Sequence, residues 1–365
     1  MWETRSIAGP AYPVLRGEHR ADVCVVGLGG SGLSCIDRLL CEPVSVIGID
    51  AGTVGGAAAG RNGGLLRAGT SLFYHKAAAA YGFDRAARMY SATIVERERL
   101  VRGFPDIARR IGYLRLAHDT ADTADCREHL DVLRQAPFPA QWYDGSSGSG
   151  VLVPDDAVID PLARCRLEAG RAAASGARLF ERSRAIRIDD GIVETTEGSV
   201  RCRLTIVAVD GGLAAVLPEL EGRVWPMRLQ MFASGPHEAG LLPHAISARG
   251  GWEYAQQLPD GTIAFGGCRD AGGDAERTTD TSVTAIVQDA LEARFREVIG
   301  VDPMVTHRWA ATAGYTTDGL PVVEEVRPGV WAVGGYCGTG NLFGAACGRS
   351  AARRALGIDP DTLLD

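Results

Sequence analysis

Gly27, Gly29 and Gly32 stand in the spacing G-x-G-x-x-G, and Asp50 follows 18 residues after the last of them. Each glycine has a separate task in such a turn. The first permits a tight bend, the second lets an anionic group approach the backbone, and the third lets a helix pack closely on a strand. Gly30 and Ser31 would open that helix, whose free N–H groups favour a phosphate. A carboxylate at Asp50 suits a pair of ribose hydroxyls. This chemistry fits a pyrophosphate-linked dinucleotide.

Such a turn works only if strand, turn, helix and strand follow one another. "ADVCVVG" (21–27) is a short β-branched run, and "VSVIGID" (44–50) is a second. Between them Leu33, Ile36, Leu39 and Leu40 recur at helical spacing. The order is that of a Rossmann unit, with Asp50 at the end of its second strand.

The chain has 365 residues, more than one core usually organises, so two domains are expected. Net charge is −7 and no basic cluster recurs, which argues against nucleic acid as a partner. No apolar run reaches about 18 residues, so no membrane span is expected. The first twenty residues lack the apolar centre of a secretory signal, which points to a cytoplasmic protein. The nine cysteines show no C-x-x-C spacing, so reduced, packed thiols and no metal site are expected. Lys76 is the only lysine.

NAD and FAD both satisfy the glycine turn. The segment "AGTVGGAAAGRNGGLLRAG" (51–69) separates them. It is a long glycine- and alanine-rich loop whose backbone can lie against a large flat ring. With "YPVLRGEHRADVCVVGLGGSGLSC", "TIVAVDGG", "GGWEYAQQLPDGTIAFGG" and "GYTTDGLPVVEEVRPGVWAVGGYCGTGN", it resembles the D-amino acid oxidase superfamily of FAD enzymes. The glycine oxidase, sarcosine oxidase and γ-glutamylputrescine oxidase branches are the most similar, and the likeness runs from residue 12 to residue 348.

The resemblance implies an α/β fold: a Rossmann-like FAD domain in three discontinuous segments (1–85, 148–215, 305–365) and a mixed-sheet substrate domain (86–147, 216–304). Pattern alone supports helices over 74–104, 121–136, 161–176 and 281–299, strands through 177–209, and a flexible connector at "DGSSGSGVLVPDD" (144–156). FAD, held non-covalently, is implied against Gly27, Gly29, Gly30, Ser31, Gly32, Asp50 and Ala51. Further cofactor contacts are implied at Gly60, Arg61, Asn62, Gly63, Gly64, Leu65, Ala185, Asp210 and Gly211, and at the turn Gly338, Thr339, Gly340, Asn341, Leu342. That turn opens a helix, so its N–H groups suit negative charge developing on the ring.

The resemblance also makes Tyr254, Tyr315 and Thr339 candidate catalytic residues and Arg67, Trp252 and Tyr336 candidate substrate contacts. A guanidinium at Arg67 suits a substrate carboxylate. Alternation along "GGWEYAQQL" puts Trp252, Tyr254 and Gln256 on one face. Three departures matter. Thr339 replaces a histidine common in relatives, Leu342 replaces a carboxylate-binding lysine, and "GTIAFGGCRD" lacks the lysine that sarcosine oxidases use with oxygen. The expected function is oxidation of a primary or secondary amine to an imine, followed by hydrolysis. The alternatives are an FAD-binding subunit without independent turnover and a dehydrogenase using an acceptor other than oxygen. Partners are then a small amine and an acceptor; a homo-oligomer is left open.

Overall fold

The computed structural model describes residues 1–136 and 138–358. The chain forms two compact units. The first holds residues 2–61, 160–227 and 312 onward; the second holds 62–159 and 228–311, with Met1.

The first unit is built on a six-stranded sheet. Its strands are β1 (Val23–Val26), β2 (Val46–Ile49), β3 (Arg178–Phe180), β4 (Leu204–Val207), β5 (Val322–Arg327) and β6 (Val330–Gly334), in the order β3-β2-β1-β4-β6-β5. All neighbours are parallel except β5 and β6. Every residue of β1 and β2 is buried, as expected of strands covered on both faces. Helix α1 (Gly30–Leu39) joins them and buries Leu33, Ile36 and Leu39. Helix α2 (Pro161–Ala174) is capped by Asp160, whose Oδ1 accepts from Leu162 and Ala163 N–H, with proline at the first helical position. The last helix, α3 (Ala345–Ala355), lies close on α1. A Cβ on Gly348 would stand 2.1 Å from the Ser31 carbonyl oxygen, so glycine sets that approach.

The second unit holds most of an eight-stranded sheet. Its order is 305–316, 224–234, 263–267, 253–257, 245–248, 113–116, 148–153, 141–145. Strands 245–248 and 113–116 are parallel within it. The helix Ala285–Ile299 buries Val287, Leu291 and Phe295 at four-residue spacing. Phe295 packs 5.4 Å from both Phe232 and Phe265.

Two expectations fail here. The connector expected at 144–156 is largely sheet: Gln141–Gly145 and Gly148–Val153 form a hairpin, and Val151, Leu152 and Val153 are buried. Its glycines allow close pairing rather than looseness, for a Cβ on Gly150 would meet Arg115 O at 2.0 Å. The units also divide at 61/62, 159/160, 227/228 and 311/312, not at 85/86, 147/148, 215/216 and 304/305. Strand pairing explains part of the shift. Leu65–Leu66 pairs with Ala157–Ile159, which also pairs with Ala108–Arg110, so 62–85 and 148–159 go with the second unit.

Candidate active site

In the first unit the chain leaves β1 at Gly27 with φ +106°, a conformation that side chains resist. A Cβ there would lie 2.5 Å from Ala208 O, and one on Gly32 only 1.9 Å from Gly27 O. The turn therefore folds tightly on itself, as the spacing predicts. No side chain caps α1, and no acid occupies its first turn. The free N–H groups of that turn thus carry the positive end of the helix dipole with no side chain of the chain against it.

Asp50 sits where the second strand ends. Its Oδ2 accepts from Leu28 N–H and its Oδ1 from Gly52 N–H, both at 2.8 Å. Burial pushes this carboxyl up from its ordinary value, against those two bonds and Arg184, which lower it. Each oxygen keeps a second lone pair for a ligand. Ser183 N–H and Arg182 N–H bond back to Asp50 O and Gly52 O, and Glu181 accepts from Val54 N–H. Ala51 is exposed beside them. Gly60 packs under this loop, since its Cβ would meet Gly55 O at 2.3 Å, and Arg61 pairs with Glu3 at 3.6 Å. Ala185 begins a separate strand, Ala185–Asp189.

The carboxylate of Asp210 is engaged within the chain. Its carboxylate accepts from Gly314 N–H (2.8 Å), Gly335 N–H (2.9 Å) and Tyr336 N–H (3.3 Å), so it fastens three chain segments together. Gly211 lies against Ala313, 3.1 Å from its would-be Cβ. Tyr336 is likewise a packing residue: its ring is buried against Gly340 and Gly344, whose Cβ atoms would come within 3.3 and 3.2 Å of it. Thr339 donates its hydroxyl proton to Tyr336 O at 2.7 Å, so the donor expected for a cofactor is spent inside the turn. Gly338 has φ +84°, and its Cβ position is 3.6 Å from the Tyr315 hydroxyl. Gly340, Asn341 and Leu342 form the single π-turn that leads into α3.

Sequence reasoning missed Arg164. It is buried on α2, pairs with Glu168 (3.3 Å) and donates from Nη1 to Asn341 O at 2.8 Å. Nη2 has no hydrogen-bond partner, and it lies 3.3 Å from the Cβ position of Gly30. A permanent cation thus backs the glycine turn and reaches the turn before α3. In a chain with so many arginines, nothing in the spacing singles it out.

In the second unit, Asn62 Oδ1 accepts from Gly64 N–H at 2.7 Å, and Gln256 Nε2 donates to Gly63 O at 2.7 Å. Gly64 has φ +70°, with Ile159 O 2.1 Å from its Cβ position, and Leu65 starts the strand that follows. Tyr254 and Gln256 do share a face of Glu253–Gln257, and the Tyr254 ring lies 3.1 Å from the Cβ position of Gly63. Trp252 does not join them. It precedes the strand, is 37% exposed, and carries the Arg269 guanidinium 4.2 Å over its ring. Arg67 bonds Thr70 O and lies over Tyr113.

A parallel sheet with an uncapped glycine turn at the end of its first strand and a carboxylate at the end of its second defines a dinucleotide-binding protein. Residues 22–354 match the family model DAO, FAD dependent oxidoreductase. The chain belongs to that family, and FAD is its cofactor. It is 27% identical over 383 residues to the probable oxidoreductase OrdL of Rhizobium meliloti (strain 1021), covering 95% of this chain and 86% of that one. It is 26% identical over 355 residues to gamma-glutamylputrescine oxidoreductase of Escherichia coli (strain K12), covering 90% and 82%. The glycine oxidase structure from Geobacillus kaustophilus superposes with a TM-score of 0.77 at 20% identity, covering 94% and 96%.

Proposed function

We infer that the protein oxidises a primary or secondary amine, such as an amino acid, an N-alkyl amino acid or a polyamine derivative. The observation that carries the amine is the similarity, over 90% of the chain, to gamma-glutamylputrescine oxidoreductase. The residues present fit FAD. The turn at Gly27–Gly32 excludes side chains at Gly27 and Gly32, the N–H groups of α1 are uncapped, and Arg164 Nη2 is buried without an acceptor. These groups would hold the pyrophosphate, and Asp50 with Ala51 the ribose. Gly60–Leu65, Ala185, Asp210, Gly211 and the Gly338–Leu342 turn are the further holders, Asp210 acting through the backbone it fastens.

Bound FAD supplies a hydride acceptor. The substrate C–H beside nitrogen gives up the hydride and its N–H a proton, leaving a C=N bond. Water adds to that imine and the C–N bond breaks, yielding a carbonyl compound and an amine or ammonia. The chain's task is to hold the reacting C–H and to keep negative charge stabilised near the amide-rich turn. Tyr254, Tyr315 and Arg67 are retained as ligand-facing groups. Trp252 and Tyr336 are not, given their positions.

The electron acceptor has two readings. Lys76, the single lysine, lies 2.5 Å from Asp125 and is half exposed, so it is engaged on a helix surface. That observation favours an acceptor other than oxygen. Anaerobic titration of the yellow protein with amino acids, N-methyl amino acids and polyamines tests the substrate class. Bleaching by an amine is the expected result; bleaching only by alcohols or hydroxy acids defeats it. Admitting air to the same cuvette then separates oxidase from dehydrogenase.

A further inference from the structure

Two cysteines of the first unit lie side by side as free thiols. Thr205 and Cys24 are register partners on the parallel strands β4 and β1, so their side chains leave the sheet on the same face. Cys202, just before β4, brings its Sγ to 3.3 Å from Thr205 Oγ1, and both cysteines belong to one buried cluster. A hydrogen bond from Cys24 holds the Cys202 thiol below its usual range, against burial and with help from Thr205. The same bond, together with burial, pushes Cys24 up. One sulfur is thereby readied as a nucleophile while its neighbour keeps a proton.

Cys202 also lines a surface hollow of about 510 Å³, which it shares with Arg20, Arg201, Arg203 and Glu18. Arg20 and Arg201 are register partners on the parallel strands Gly17–Arg20 and Gly198–Arg201, so two guanidinium side chains share one face. Like charges placed opposite each other are destabilising, and an anion between them relieves the repulsion. The one acid of the lining, Glu18, reaches Arg201 only at 4.0 Å, with both side chains more than half exposed. Asp22, close to Arg203, is engaged by the Ser45 N–H and hydroxyl at 2.8 and 2.6 Å. Three cations against one acid leave the hollow positive.

We propose that this hollow is a modification site for an acidic disulfide of the glutathione class, with Cys202 as the attacking thiol and Cys24 as the resolving one. The Cys202 thiolate attacks one sulfur of the disulfide, whose S–S bond breaks, and one thiolate leaves. Cys24 then gives its proton to that thiolate and attacks the Cys202 sulfur, expelling the second half as a thiolate. The two cysteines lose two electrons in forming their own disulfide, and the incoming disulfide gains them. Cys202 is 7% exposed and Cys24 not at all, which fixes the order of attack. The exchange involves no flavin and is independent of the amine reading.

The test treats the FAD-loaded protein with glutathione disulfide, or with hydroxyethyl disulfide as the uncharged control, then quenches in acid and maps thiols by mass spectrometry. Cys41, which is exposed, serves as the internal reference. In wild type the expected product is a Cys24–Cys202 cross-link, leaving the protein two hydrogens lighter. C24S should stop at one glutathionyl group on Cys202, and C202S should show neither product. The double variant R201Q/R203Q should react with glutathione disulfide about 10-fold more slowly at Cys202, relative to Cys41, as loss of electrostatic attraction implies. Its rate with the uncharged reagent should be unchanged. Should either cysteine variant fail to fold, as melting would show, the wild-type cross-link and the arginine variant still decide. Glutathione on Cys41 alone overturns the proposal. So does a cross-link that forms equally fast from both reagents, or one that R201Q/R203Q leaves unaltered.

Discussion

Two neighbouring glycines in the same helical turn are expected to respond oppositely to alanine. A Cβ on Gly32 would stand 1.9 Å from the Gly27 carbonyl oxygen, which is backbone and cannot swing aside. Contacts under 3.0 Å are not tolerated, so the turn must open by roughly 1.1 Å. Forcing a methyl into such packing costs about 1–3 kcal/mol. The opening falls where FAD is held, so most of that cost is expected in cofactor affinity, about 10- to 100-fold. At Gly30 the nearest atom is Arg164 Nη2 at 3.3 Å, the end of a side chain that has to give by tenths of an ångström. Alanine is also the better helix former, by up to about 1 kcal/mol. G30A should therefore keep its FAD and melt within a few degrees of wild type. The assay is fluorescence of flavin released on dilution, with melting curves in the presence and absence of added FAD. A G32A protein that retains FAD like wild type, beside a G30A protein that loses it, would refute the reasoning.

Three further outcomes are expected. His129 is held neutral in the fold chiefly by burial, with Arg115, His75 and Arg67 adding to the effect. Below about pH 6.5 the unfolded chain takes up a proton that the folded one refuses, so stability is present above that pH and falls with acidification, by up to about 1.4 kcal/mol per pH unit. Melting from pH 7 to 5 should show this slope, and H129Q should flatten it. F295A removes the ring shared by Phe232 and Phe265 and should cost about 3–5 kcal/mol in denaturant titration, with the visible spectrum of the bound flavin unchanged. D210N puts an amide where three N–H groups need acceptors, and each lost charged bond is worth about 1.5–3 kcal/mol. A melting point within a degree of wild type would contradict that role.

The parts legible in the sequence were those whose physics is local. Gly27, Gly29, Gly32 and Asp50 sit within one strand–turn–helix–strand, so spacing alone gives their geometry. The helix Pro161–Ala174 was legible for the same reason, since its pattern lies within the one segment 161–176. The hairpin at 141–153 was not, because glycine there marks close strand pairing, and a partner 35 residues away in sequence decides which meaning holds. Trp252 was misplaced because alternation says nothing about where a strand begins. Thr339 and Asp210 were named through the resemblance, but what a polar side chain does depends on which neighbour claims its proton or lone pair first.

Arg164 was invisible for a deeper reason. A lysine forced into a buried site without a carboxylate can shed its proton, whereas arginine remains charged. A chain that carries its buried positive charge on arginine therefore keeps strong fields inside both units whatever ligand is present. At Arg164 the uncommitted Nη2 lies behind the glycine turn, where the phosphate of a bound cofactor would meet it.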